Sequence, residues 1–172
     1  MCSPVCLGPC ADAASVYCYY KLKANRNTEV ISKISEKRSA FRTVLIAPCG
    51  MNCRLCLAYV RDRNACPGCR GDDSVKAKTR VACSMKNCER LTKRNARYCF
   101  QCDSFPCERL NHLDNRYRTK YRMSMIDNLK TIESIGIRRF IRSEMERWVC
   151  PECGEIICVH KPQCLSCGYR WS

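Results

Sequence analysis

The chain has 172 residues, with 31 Lys and Arg against 16 Asp and Glu, a formal charge of +15, and 19 cysteines. That length supports one ordinary domain or two small ones, and no window is apolar enough over a membrane's thickness to span it, so no membrane is expected. Much of the 46% hydrophobic fraction is cysteine itself, which leaves too thin an aliphatic core for an unaided fold and points to metal coordination, at roughly 10 kcal/mol or more apparent per structural zinc site.

Residues 1–43 read as a basic leader. Its first part carries Cys2, Cys6, Cys10 and Cys18 and its second the polar stretch from Lys21 to Arg42. A helix or partial disorder is expected there. Met1 to Tyr20 has neither the basic n-region nor the apolar run of a signal peptide. An odd number of cysteines would also strand one thiol in any intramolecular disulfide scheme. Both features favour a metal protein in a reducing compartment, the cytoplasm, over a secreted disulfide scaffold.

Residues 44–107 read as a cysteine-rich metal-binding domain. The apolar, β-branched run Thr43-Val44-Leu45-Ile46-Ala47 predicts a buried strand that feeds it. From Cys49 to Cys107 loops and short elements are expected between cysteine pairs, with turns at Gly50, Pro67, Gly68, Gly71 and Pro106. Residues 108–148 predict helices. Ser124 and Asp127 make a capping-box-like start, Ile126, Leu129, Ile132 and Ile135 follow, and Gly136 offers a C-terminal cap. In the next helix Ile137, Phe140, Ile141, Met145 and Trp148 form an apolar stripe, while Arg138, Arg139, Arg142, Glu144 and Glu146 fall mainly off it. Residues 149–172 read as a zinc ribbon with a strand-like centre, Glu155 to Val159.

The ribbon rests on two C-x2-C-G knuckles, Cys150/Cys153 and Cys164/Cys167. Two cysteines three apart around a tight turn present both sulfurs to one ion, and the glycine after them relieves the turn. Cys158 and His160 lie between the knuckles and read as a packed thiol and a surface imidazole, because four thiolates already fill a zinc site. The central region adds ten cysteines: Cys49, Cys53, Cys56, Cys66, Cys69, Cys83, Cys88, Cys99, Cys102 and Cys107. One assignment gives Cys53, Cys56, Cys66 and Cys69 to one zinc and Cys83, Cys88, Cys99 and Cys102 to another; interleaved pairings fit the spacing equally. About three zinc ions follow. A 4Fe-4S cluster on the central cysteines is the alternative, since thiolate softness does not separate zinc from iron-sulfur. The C-x3-C-x2-C of Cys49, Cys53 and Cys56 also resembles the cluster motif of radical S-adenosylmethionine enzymes. The strand and helix repeats of their large partial barrel are absent after Cys56.

The motifs Ala-Pro-Cys49-Gly-Met-Asn-Cys53-Arg-Leu-Cys56-Leu-Ala-Tyr59, Cys66-Pro-Gly-Cys69-Arg-Gly71 and Tyr98-Cys99-Phe-Gln-Cys102-Asp-Ser-Phe105-Pro106-Cys107-Glu-Arg-Leu110 resemble, in order, the cysteine-rich family called domain of unknown function 3795. The resemblance spans roughly Ala47 to Tyr121. It implies a small metal-binding protein and no particular activity.

The expected fold is a small metal-stabilised α+β protein: a cysteine-rich loop and knuckle domain, a helical segment and a C-terminal zinc ribbon. Three four-thiolate zinc sites would lower the formal charge from +15 to about +9, and that excess favours nucleic acid or an acidic protein as partner. Lys76, Lys78, Arg80, Lys86, Arg90, Lys93, Arg94, Arg97, Arg116, Arg118, Lys120 and Arg122 carry the nucleic-acid reading, with Tyr98, Tyr117 and Tyr121 as platforms for bases. No nucleophile, base and orienter set accompanies the cysteines, a catalytic zinc would need an open position, and no small-molecule substrate is evident. A zinc-binding interaction protein is therefore expected. The alternative is an iron-sulfur protein for electron transfer or redox sensing.

Overall fold

The computed structural model describes residues 41–171; the readings of residues 1–40, including Cys2, Cys6, Cys10 and Cys18, lie outside them. Three short helices, α1 (Leu57–Val60), α2 (Lys78–Val81) and α3 (Glu89–Lys93), lie among the cysteine pairs. Three longer ones follow: α4 (Glu108–Tyr121), α5 (Met125–Ile135) and α6 (Ile137–Arg147). Single 3-10 turns at Thr43–Leu45, Cys53–Leu55 and Cys99–Gln101 complete the helical structure of the described residues.

The long helices begin and end where local chemistry requires. Arg122 closes α4 with a left-handed φ of 52°. Two residues on, the Ser124 hydroxyl accepts the Asp127 amide at 2.9 Å and starts α5. The same hydroxyl donates to the buried Asp114 carboxylate on α4 at 2.8 Å, which also accepts the Ile126 amide at 2.9 Å. Burial opposes ionisation of Asp114, but these bonds and the Arg118 guanidinium outweigh it and hold the carboxyl below its ordinary range. Gly136 ends α5 and starts α6 with a φ of 81°. Nothing crowds it, so backbone conformation alone selects glycine there.

Helix α5 is packed against both α4 and α6. Its buried face is Met125, Ile126, Leu129 and Ile132, while Ile135 at the end of the expected stripe is exposed. Helix α6 buries Phe140 and Ile141, and Trp148 follows at its end. Leu55, Leu110 and Leu129 are fully buried, each stabilising by about 2 kcal/mol. Glu144, expected off the stripe, is also buried. Its carboxylate accepts Trp148 Nε1 at 3.0 Å and Asn52 Nδ2 at 3.4 Å. Burial raises its pKa despite these bonds.

The α+β expectation is corrected to a mostly helical fold with little strand. Among the described residues β-structure consists of the isolated bridges Ile46–Asn52, Val149–Ile156 and Gln163–Arg170. The run from Thr43 to Ala47 is buried at Leu45, Ile46 and Ala47 as expected, but as a 3-10 turn leading into a tight loop. The Ala47 amide bonds Met51 O at 2.8 Å, so the chain doubles back before a strand can form. Glu155 to Val159 likewise lacks a ladder. Its Ile157 amide reaches Trp148 O at 2.9 Å and its Val159 amide reaches Leu55 O at 3.0 Å. No helix among the described residues is long and apolar enough to cross a membrane.

Candidate metal centres

The C-terminal knuckles bring Cys150, Cys153, Cys164 and Cys167 together, with all four sulfurs within 4.8 Å of one another. Cys150 Sγ and Cys167 Sγ are 3.6 Å apart, as are Cys153 Sγ and Cys164 Sγ. Four thiolates about 2.3 Å from one zinc lie roughly 3.8 Å apart at tetrahedral angles, so the set fits a single ion. Each knuckle is closed by an amide returning to its first carbonyl, Gly154 to Cys150 at 2.8 Å and Gly168 to Cys164 at 3.0 Å. Amides of Cys167 and Ser166 also point at Cys164 Sγ and lower its pKa to about 7. Among the described residues this is the one convergent group of metal-ligating side chains. It is compatible with a zinc-ribbon-like module.

The ten central cysteines are divided between two cavities. Cys49, Cys53, Cys56, Cys66, Cys69 and Cys83 line one of about 480 Å³. Cys88, Cys99, Cys102 and Cys107 line the other, of about 720 Å³. This division is not the one assignment written out from the sequence, but it is among the interleaved arrangements that the spacing allowed equally. Cys83 faces the first cavity, away from Cys88, and Cys107 joins Cys99 and Cys102 at the second.

Backbone contacts explain the division. The bridge between Ile46 and Asn52 folds Cys49 and Cys53 onto one loop, and Asn52 caps the turn Cys53–Leu55 by accepting the Arg54 amide at 3.1 Å. The Cys69 amide donates to Cys53 Sγ at 3.2 Å, an outer bond of the kind that orients a ligating thiolate. Lys76 is buried and closes the following loop by donating to Cys69 O at 3.0 Å and Gly71 O at 2.8 Å, with Asp73 as its ion-pair partner. The Cys99 amide meets Pro48 O at 2.9 Å, which sets the second cavity beside the first. Ser84, Met85 and Arg109 line both.

Burial pushes the Cys49, Cys53 and Cys99 thiols up to about 12. At neutral pH they hold their protons, and a metal binding them as thiolates would release protons. Cys69 is raised by burial and by Cys83, while Lys76, Arg70 and Lys86 pull the other way.

Cys158 is buried and packed, as read from the sequence. His160 is half-buried at a seam, not on the surface. Its Nδ1 accepts the Leu57 amide at 3.3 Å, and its Nε2 lies 3.0 Å from Tyr117 Oη. Since the amide can only donate, the ring is neutral with its proton on Nε2. Burial, and then Arg80, lower its pKa accordingly. The seam joins the C-terminal segment to α1 and α4.

Several residues read as a nucleic-acid surface have internal partners. Lys76 is buried, Lys86 pairs with Asp73, Arg94 with Asp103, and Arg118 with Asp114 and Asp127. Tyr98 is buried beside Phe100, and Tyr117 and Tyr121 pack edge-on to His160. The sequence reading did not single out Arg109, although it shares a helical face with Arg116 seven residues on.

Residues 45–112 match the model of the family described as Protein of unknown function (DUF3795). The resemblance read from the motifs is borne out over that stretch, which ends within α4. No curated protein and no solved structure matches the chain.

Proposed function

We propose that this chain is a zinc-stabilised interaction protein. The carrying observation is the convergence of Cys150, Cys153, Cys164 and Cys167 within 4.8 Å, a spacing suited to one tetrahedral zinc. The ion would fasten a segment whose β-structure is limited to isolated bridges. The central thiols would hold further metal, Cys88, Cys99, Cys102 and Cys107 as one four-thiolate set and four of the six thiols around the neighbouring cavity as another. The partner is anionic, a nucleic acid or an acidic protein. Supporting this are the net charge of +15 and the exposed cations Lys78, Lys93, Arg97, Lys120 and Arg122. Affinity for such a partner falls steeply with salt.

A second reading has its own observation. The six-thiol cavity is wider than a single ion requires, and a cubane iron-sulfur cluster spreads its thiolates further than zinc does. Metal content and visible absorption of protein purified without oxygen decide between them. Near three zinc ions and no colour support the structural reading. Iron with acid-labile sulfide and a brown colour replaces it, in the central region, with redox chemistry.

A further inference from the structure

The six-cysteine cavity carries a feature that zinc or iron-sulfur binding does not use. Helix α4 turns one face towards it, Arg109, His112, Leu113, Arg116 and Tyr117, at the i, i+3, i+4, i+7 and i+8 spacing of a single helical stripe. Arg80 on α2 lines it as well. Lys76 is a fourth cation of the lining, but carbonyls and Asp73 satisfy it. Arg109 donates one Nη to Ser84 O at 3.3 Å. Among the described residues the guanidinium groups of Arg80 and Arg116 have no hydrogen-bond or ion-pair partner, and no carboxylate lines the cavity.

The lining holds Lys76, Arg80, Arg109 and Arg116 and no Asp or Glu. A zinc with four thiolates carries two net negative charges. Arg80, Arg109 and Arg116 supply three positive charges, of which Arg109 is shared with the neighbouring cavity. The other lining residues are largely apolar, with Met51, Met85, Leu113 and Met125 among them. The volume, about 480 Å³, falls in the range of small-molecule sites. Of the lining residues Cys49 and Cys53 are buried, the other four thiols and Arg80 are half-buried, and Arg109 and Arg116 reach solvent.

We infer that this cavity binds a small amphiphilic oxyanion, a carboxylate or phosphate monoester with an apolar body. The headgroup meets Arg80 and Arg116, whose planar forks match either oxyanion. The apolar body rests on the methionines and Leu113, which adapt readily to shape. Arg109, which donates to Ser84 O, stands at the boundary with the neighbouring cavity.

The test is calorimetric titration of the full chain, with its metal as purified, using 2-naphthoate, 2-naphthyl phosphate and the neutral 2-naphthol. Saturable binding of an anion, at least about tenfold tighter than the naphthol, is expected. The tighter of the two anions identifies the headgroup. The Arg80→Gln/Arg116→Gln double variant should weaken that anion about tenfold and leave its metal content and melting temperature unchanged. Absence of anion binding to the unaltered chain, or equal binding to the double variant, overturns the inference. Metal analysis of the same samples reports separately on the zinc reading, so the two can fail independently.

Discussion

The C-terminal and central cysteines differ in how completely the polypeptide arranges them. In the C-terminal segment four sulfurs already lie within 4.8 Å of one another, two of them in exposed residues. In the central region ten thiols surround two cavities, Cys49, Cys53 and Cys99 are buried, and their protons are held up to a pKa of about 12. Short knuckles fix a site by local turn geometry alone. Distant pairs need the surrounding core to fix them, and here α4, α5 and α6 provide it. The first arrangement is suited to a structural ion and the second to something larger or exchangeable.

The sharpest way to break this comparison is Cys164→Ser. It should remove one zinc equivalent and most of the roughly 10 kcal/mol a structural site supplies, read as protease sensitivity confined to the chain after Trp148. Loss of central metal as well would mean that the two regions are not separable. Gly50→Ala attacks the other side. Gly50 has a φ of 86°, and a Cβ there would stand 2.6 Å from Met125 O and 2.9 Å from Leu129 Cγ. A cost of about 3 kcal/mol and weakened central metal retention are expected, with retention of any metal at the C-terminal cluster unchanged. Denaturant melts paired with metal analysis check both.

His160→Ala probes the seam. Removing the acceptor for the Leu57 amide and the partner of Tyr117 should cost about 2 kcal/mol, with faster hydrogen exchange at Leu57 and no change in zinc content. The smallest effect concerns Glu144, which ties α6 to the central loop through Asn52. Burial raises its folded pKa, so the folded chain binds this proton more tightly than the unfolded one. Stability from this group is full below the ordinary carboxyl range and is lost as pH rises through the raised value. Glu144→Gln cannot ionise, and its stability should vary less with pH across that window. An unchanged slope would place the titration elsewhere.

Sequence alone disclosed what is local. Ser124 and Gly136 marked the ends of α5, and the two C-x2-C-G knuckles marked the C-terminal cluster, because caps and knuckles are settled within a few residues. The division of the central cysteines was not legible. It depends on Cys99 meeting Pro48 and on α4 carrying Arg109 to the wall, contacts between residues far apart in the chain. The strand expected over Thr43 to Ala47 failed for a related reason. An apolar β-branched run announces burial, but a partner must be present for it to become a strand, and the loop to Met51 intervenes. Glu144 was hidden by its charge, although its four-residue spacing to Trp148 puts it on the buried side of α6.

Ser84, Met85 and Arg109 line both central cavities. A partition so thin makes them electrostatic neighbours. Two anionic metal-thiolate centres filled side by side repel each other, and Arg109 between them relieves only part of that repulsion. Filling would therefore proceed as two unequal steps, the second weaker than the first. At a metal supply too low to fill both, half-loaded molecules would outnumber full ones.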